Sequence, residues 1–404
     1  MTTTVATATT RPAIPAGIPN SLVLLFAFCC GAIVANIYYA QPLIELIAPD
    51  VGLSSHAASF IVSLTQVGYA IGLLFLVPLG DLTENRRLMI ATLLVSAASL
   101  VGAALSGQPS TFLVFSMLIG FSSVSVQMMV PLAAHMATDE TRGRVVGSVM
   151  SGLLFGILLS RPLSGLVADH FGWRTVFAAA AVLMLAIVVL LGLTMPQRKP
   201  AHTASYGQLI HSLLVLLRTQ PVLRQRAFYQ ACMFAAVALF WTAVPVELSR
   251  HHGFSQSQIA LFALVGAAGA FAAPFTGRLA DAGHGRIGTL IALAGAALSF
   301  LPTLIHPALG VFGLAVTAVV LDLCMQMSMV IGQREVYALD AKARSRLNSI
   351  YMTAIFIGGA IGAAVASALY DHGGWTWVGI AGALFAVVAL IKFLVDPKVG
   401  VAAR

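Results

Sequence analysis

Charge is what this sequence has least of. Only 9% of its 404 residues are Asp, Glu, Lys or Arg, where a soluble globular domain carries about 25%. With 59% hydrophobic residues and a mean hydropathy of +0.93, too little polar surface exists to cover a water-facing exterior. That excludes a disordered chain and most soluble enzymes. Cysteine is scarce too: Cys29, Cys30, Cys232 and Cys324 all fall inside apolar stretches. They read as small buried hydrophobes, which excludes a disulfide-stapled secreted fold and a zinc framework. The sequence has neither a GxxxxGK[ST] phosphate loop nor an HExxH pair, so a nucleotide-driven pump and a zinc protease are excluded. No catalytic constellation stands out, so the chain reads as no enzyme, and no cofactor or metal is expected.

What the chain does have is apolar runs of about 20 residues, the length that crosses a bilayer as a helix. Twelve such runs lie near 20–46, 57–79, 87–106, 110–137, 144–168, 174–195, 226–248, 257–280, 287–305, 308–334, 347–370 and 375–395; they are numbered here as spans one to twelve. The expected organisation is a tail at 1–19, a six-helix bundle at 20–195, a linker at 196–225, a second six-helix bundle at 226–395 and a tail at 396–404. In the linker, the apolar run 209–217 is too short to span and reads as an amphipathic surface helix. The first run is not followed by an A-x-A cleavage pattern, so residues 1–19 read as a cytoplasmic tail.

Net charge is +8, but the basic residues lie between the spans, where they set orientation. No nucleic-acid partner is expected. With the N-terminus inside, 19 Lys and Arg fall on the inner side; only Arg174 and Arg250 lie outside, and Arg161 lies within a span. Both termini are therefore expected in the cytoplasm.

The two halves repeat. Asp169-His170-Phe171-Gly172-Trp173 closes span five, and Asp371-His372-Gly373-Gly374-Trp375, 202 residues on, closes span eleven. Asp81 and Arg86 after span two are matched by Asp281 and Arg286 after span eight. Repeated halves are how many transporters build a site at the repeat interface.

The loop Leu79-Gly80-Asp81-Leu82-Thr83-Glu84-Asn85-Arg86-Arg87 and its counterpart from Gly277 to Arg286 are similar to the cytoplasmic signature of the major facilitator superfamily. Span five, with Gly147, Gly156 and Gly165, resembles the antiporter motif of the drug:proton antiporter branch. It has Ser160-Arg161 where that motif continues Gly-Pro, and Pro162 comes one place later. Asn36-Ile37-Tyr38-Tyr39-Ala40-Gln41-Pro42 is similar to a bacterial subgroup of efflux permeases. The resemblance implies an all-α membrane protein of twelve transmembrane helices in two pseudo-symmetric bundles, with spans one, four, seven and ten lining a central cavity. It also implies that Asp81, Arg86, Arg87, Asp281 and Arg286 latch the inner face in the outward-open state.

An ionisable group inside a bilayer costs about 2.5–3.5 kcal/mol on insertion scales, so each is a functional candidate. Asp322 is the clearest, about 21 Å along span ten from one end and about 18 Å from the other at 1.5 Å per residue. It shares a helical face with Gln326 and Gln333. A carboxyl group there suits proton uptake and release. Arg161, in the outer third of span five, reads as a counter-charge for an anionic substrate, a partner for Glu45 or Asp322, or a structural pair. Span one offers Asn36, Tyr38, Gln41 and Glu45, with Pro42 bending the helix. Span four offers Gln127 and His135, and span seven offers Gln230, Phe234 and Trp241.

Together these residues read as a monomeric secondary transporter in a bacterial cytoplasmic membrane, with protons, a small-molecule substrate and the bilayer as partners. Proton-coupled export of a small organic compound or drug is the first reading. Proton-coupled uptake of a small metabolite, anionic where Arg161 binds substrate charge, is the alternative, and a receptor or channel without coupled transport is the alternative of another class. The topology is directly testable. Cysteines introduced at Gln197 and at Asp371 are expected to react with a membrane-impermeant maleimide from opposite faces; reaction from one face refutes the topology.

Overall fold

The computed structural model describes residues 18–138, 140–197, 205–266, 284–305, 309–340 and 343–396, and all regular structure among them is helical. Residues 267–283 lie outside these, and with them Asp281 and the second part of span eight. The first half runs through Asn20–Ala35 and Ile44–Asp50 (span one), Phe60–Phe75 (two), Asn85–Leu105 (three), Pro109–Ser122 and Val126–Met136 (four), Arg142–Phe171 (five) and Trp173–Thr194 (six). The second comprises Pro221–Arg250 (seven), Gln256–Phe262 (the start of eight), Gly285–Leu298 and Leu301–Ile305 (nine), Gly310–Ala338 (ten) and Arg344–Val395 (eleven and twelve). This is the twelve-helix, two-bundle arrangement. The end of the bundles near the linker is called the linker face below, and the other end the distal face.

Helices in lipid gain nothing by hiding apolar side chains from one another, so close backbone approach through small residues decides which pairs pack. Span five lies on span one at Gly152 and Gly156, where an added Cβ would run into the Ala27 and Gly31 carbonyls. Span eleven lies on span seven at Gly358 and Gly362, each 206 residues further on, against the Ala231 and Ala235 carbonyls. The halves therefore repeat at the level of backbone contact, which the loop motifs alone did not show.

Span one is not the continuous bent helix expected from its sequence. It ends at Ala35, runs through turns to a 3-10 segment at Gln41–Leu43, and restarts at Ile44. Pro42 has no N–H to return to the Tyr38 carbonyl. That oxygen takes the Gln41 N–H instead at 3.2 Å, and Tyr38 N–H reaches back to Ala35 at 3.0 Å. The tighter turns re-aim Tyr38 and Gln41.

Spans eleven and twelve form one run bent at Gly373 and Gly374, with φ +62° at Gly374. Gly172, 202 residues earlier, has φ +82° between spans five and six. Both reversals use a conformation that L-residues rarely adopt. On the distal face, Trp173 Nε1 donates to Asp50 at 2.9 Å and Arg174 pairs with the same carboxylate.

The linker forms the amphipathic helix Tyr206–Thr219, capped by Ser205 and Gln208 in a reciprocal box. Leu209 and Leu213 are buried, and the Tyr206 hydroxyl donates to the Phe75 carbonyl at 2.9 Å. Span seven starts at Pro221, where a first-turn proline sacrifices no hydrogen bond.

The seam makes a sharp prediction. Gly156→Leu and Gly362→Leu are each expected to destabilise the protein by about 1–3 kcal/mol or more, read as a lower melting temperature in detergent. Gly147→Ala, with nothing within 4 Å of the added methyl, is expected to leave it unchanged.

Candidate functional site

The turn in span one delivers Tyr38 and Gln41 to the boundary between the bundles. There they meet Arg161 of span five, Trp241 and Thr242 of span seven, and Asp322 of span ten. Arg161 Nε donates to Gln41 Oε1 at 2.8 Å, and Gln41 Nε2 donates to Thr242 Oγ1 at 3.5 Å. The Arg161 guanidinium carbon lies 5.1 Å from the Tyr38 ring centroid and 4.7 Å from that of Trp241, within cation–π range. At its edge, Trp241 donates Nε1–H to Asp322, at 3.2 Å from Oδ1 and 3.3 Å from Oδ2. Gly266 completes the wall, since a Cβ there would come within 2.6 Å of both Asp322 Oδ2 and the indole. Asp322 sits 12 residues into a 29-residue helix, about 18 Å from one end and about 24 Å from the other at 1.5 Å per residue.

Tyr38, Gln41 and Trp241 are buried, whereas Arg161 and Asp322 keep some accessible surface. Arg161 is not in contact with either carboxylate that the sequence offered it. Glu45 belongs to Arg250, and Asp322 accepts from the Trp241 indole. The terminal nitrogens of Arg161 donate to none of the described residues; its one hydrogen bond is through Nε.

The other candidates lie around this centre. Gln127 donates to the Tyr69 hydroxyl at 3.2 Å, and Tyr69, Phe356 and Phe234 form an aromatic row with centroids 4.3 and 5.5 Å apart. Gln230 is fully buried and reaches the Met325 carbonyl at 3.4 Å, with its Oε1 unpartnered among the described residues. Gln326 and Gln333 are partly exposed on the Asp322 helix. Asn36 points away, donating to Met184 Sδ at 3.3 Å inside the first bundle. His135 bonds the Pro131 carbonyl on its own helix.

On the linker face, Glu84 caps span three by accepting the Arg86 and Arg87 amides at 2.9 and 3.1 Å. The Arg86 side chain donates to the Met195 carbonyl at 3.4 Å and to that of Gly192, binding the end of span six. Arg87 lies 3.6 Å from Glu84, and Arg286 stacks on Phe393 at 5.0 Å. Each arginine is engaged within its own bundle. Asp81 ends the 3-10 turn Val77–Asp81.

Sequence reasoning missed the distal face. Arg250 donates to Glu45 at 2.9 and 3.0 Å and to Asp371 at 3.4 Å, and His56 lies 3.3 Å from Asp371. Glu45 and His56 belong to the first bundle, and Arg250 and Asp371 to the second. Ser59 Oγ and Ser63 Oγ add bonds to the Ala364 and Ala360 carbonyls at 3.2 and 2.8 Å. The gap left among Glu45, Thr242, Arg250 and Asp371 is about 10 Å³, no more than one water. The distal face is shut. A hint was in the sequence: that end holds only two arginines outside the spans, with acids nearby to receive them. A second missed pair, Arg226 with Glu335, is joined by Thr289 at 2.8 Å near the linker face of the second bundle.

Comparison with known proteins agrees with this architecture. A family model described as Major Facilitator Superfamily matches residues 23–238 and again 226–403. The uncharacterized transporter YgaY of Escherichia coli O157:H7 is 40% identical over 92% of this chain and 94% of its own. The inner membrane transport protein YnfM of Escherichia coli (strain K12) is 25% identical over 91% of this chain and 89% of its own. Among solved structures, a D-xylose-proton symporter superposes with a TM-score of 0.74 at 17% identity, covering 94% of this chain and 98% of its own. By the match to both halves and the kinship along nine-tenths of its length, the chain belongs to the Major Facilitator Superfamily.

Proposed function

We propose that the chain is a proton-coupled secondary transporter, moving a small organic compound across a bacterial inner membrane by alternating access, with Asp322 as the proton carrier. The observation that carries this reading is the placement of Asp322. It is a mid-span carboxyl at the meeting of the halves, bonded only through Trp241 among the described residues and close to an arginine it does not touch. In this reading Tyr38, Gln41, Arg161 and Trp241 meet the substrate. Gln127, Gln230, Phe234, Gln326 and Gln333 flank it. Both termini are cytoplasmic, and one chain is the working unit. The shut distal face is then the periplasmic gate, and Asp81, Arg86, Arg87 and Arg286 serve the opposite state on the cytoplasmic side.

Export in exchange for protons is the direction that the efflux-like sequence of spans one and five supports. Uptake is the second reading, and one observation favours it: the terminal nitrogens of Arg161 donate to no acid among the described residues.

Asp322→Asn keeps the volume and mimics the protonated form. Gradient-driven transport in proteoliposomes is expected to fall to background while substrate exchange persists with a flattened pH profile. Uphill transport with the wild-type profile refutes the assignment.

The gate is tested separately. Exposed ion pairs contribute about 0.2–1 kcal/mol each, so Arg250→Gln, which removes two, is expected to raise the distal-open population about tenfold. Spin labels at Ser54 and His372, one on each bundle, should then show a longer distance component. An unchanged distribution in folded protein refutes the clamp.

A further inference from the structure

We infer that Arg161 is the receptor for an anionic group of the transported compound, which is a small organic acid bound through a carboxylate or similar planar oxyanion together with the proton on Asp322. This deepens the second, uptake reading just given and rests on Asp322 carrying the proton.

Four observations converge on it. First, a charge inside a bilayer is retained only where something answers it; Asp322 acts on Arg161 through space, but no described acid is in ion-pair contact with it. Glu45 is taken by Arg250 with two hydrogen bonds, and the Trp241 indole stands at Asp322. Second, the guanidinium is preset. Gln41 holds Nε, its own amide is anchored to Thr242, and the rings of Tyr38 and Trp241 lie alongside. That leaves Nη1 and Nη2 unused, a planar pair of donors that matches an oxyanion in two-point fashion. Third, Arg161 keeps some accessible surface where Tyr38, Gln41 and Trp241 beside it are buried. Fourth, the cluster joins residues of both bundles, so an occupant reports on their relative position.

Charge balance then links anion and proton. Among the described residues, the charged and titratable side chains around the fork are Tyr38, Arg161 and Asp322, with Tyr69 beyond Tyr38; Glu45, Arg250, Asp371 and His56 answer one another at the distal face. With Asp322 ionised the centre is neutral, and an arriving anion leaves it at minus one. With Asp322 protonated the centre is plus one, and the anion makes it neutral. Two like charges about 8 Å apart at an effective dielectric of about 20 weaken binding roughly 30-fold. The anion and the proton therefore enter and leave together, which is symport, and in the physiological proton gradient the net direction is uptake.

The test uses purified full-length protein in nanodiscs, at pH 6 and pH 8. Acetate, benzoate, succinate and inorganic phosphate are each compared with acetamide, benzamide, succinamide or trimethyl phosphate, reading tryptophan fluorescence and melting temperature. At least one anion is expected to bind about tenfold or more tighter than its neutral counterpart, and about tenfold tighter at pH 6 than at pH 8. Arg161→Gln should lose the preference. Arg161→Lys, which keeps the charge without the fork, should weaken it about tenfold and shows that the cluster still folds. Asp322→Asn should bind the anion equally at both pH values. If no anion outbinds its neutral counterpart, or Arg161→Gln binds anions like wild type, the inference is overturned, even where Asp322→Asn still abolishes uphill transport. If anion binding needs Arg161 but keeps its pH dependence in Asp322→Asn, the receptor stands and the proton-carrier reading falls.

Discussion

A bilayer offers no water to a polar group, and most of this structure is an answer to that constraint. The backbone answers it by closing into helices. The charged side chains answer it by meeting near the ends of the spans: Arg174 with Asp50, Arg250 with Glu45 and Asp371, Arg226 with Glu335 and Thr289. Deep between the halves the pattern stops. Arg161 lies over the face of one indole and Asp322 at its N–H edge, and the two charges make no ion-pair contact. That exception locates the proposed site, because the rest of the molecule avoids it.

Contacts within a bundle and contacts between bundles are chemically different. Within each, glycines bring backbones together along matched seams, Gly152 and Gly156 in one half and Gly358 and Gly362 in the other. Such seams tolerate little sliding, since every displacement meets a carbonyl. Between the bundles bonds run from serine hydroxyls to carbonyls and between charged side chains, as at Ser59, Ser63 and Arg250 with Glu45. Those groups can exchange one partner for water at an exposed end. Rigid halves with a replaceable interface are what a rocking motion requires.

Much of this was legible in the sequence, because hydropathy and repeated loop motifs are local signals. The twelve spans, the surface helix after Ser205 and the paired reversals at Gly172 and Gly374 are all written in short windows. Tyr38, Gln41, Arg161, Trp241 and Asp322 could be named as polar or aromatic residues on the right spans. Their arrangement could not be. Nothing in a helical face tells that Trp241 takes Arg161 on its ring face and Asp322 on its N–H, or that Glu45 serves Arg250, more than 200 residues away. The break at Asn36 was under-read, because Pro42 marks where a hydrogen bond is missing but not how far the unwinding travels. Asn36 shared the first span's polar stripe, yet the turn sends it to Met184.

Gln41 has a consequence of its own. Its amide oxygen is tied to Arg161 in the first bundle and its nitrogen to Thr242 in the second, so one side chain spans the joint. A joint that opens stretches the weaker 3.5 Å bond first and frees the amide while the arginine keeps its anchor. The receptor end of the cluster would travel with the first bundle, and the acid with the second. Dissociation constants measured from the two sides of the membrane should therefore differ, and a closed thermodynamic cycle ties their ratio to the equilibrium between the two states of the empty protein.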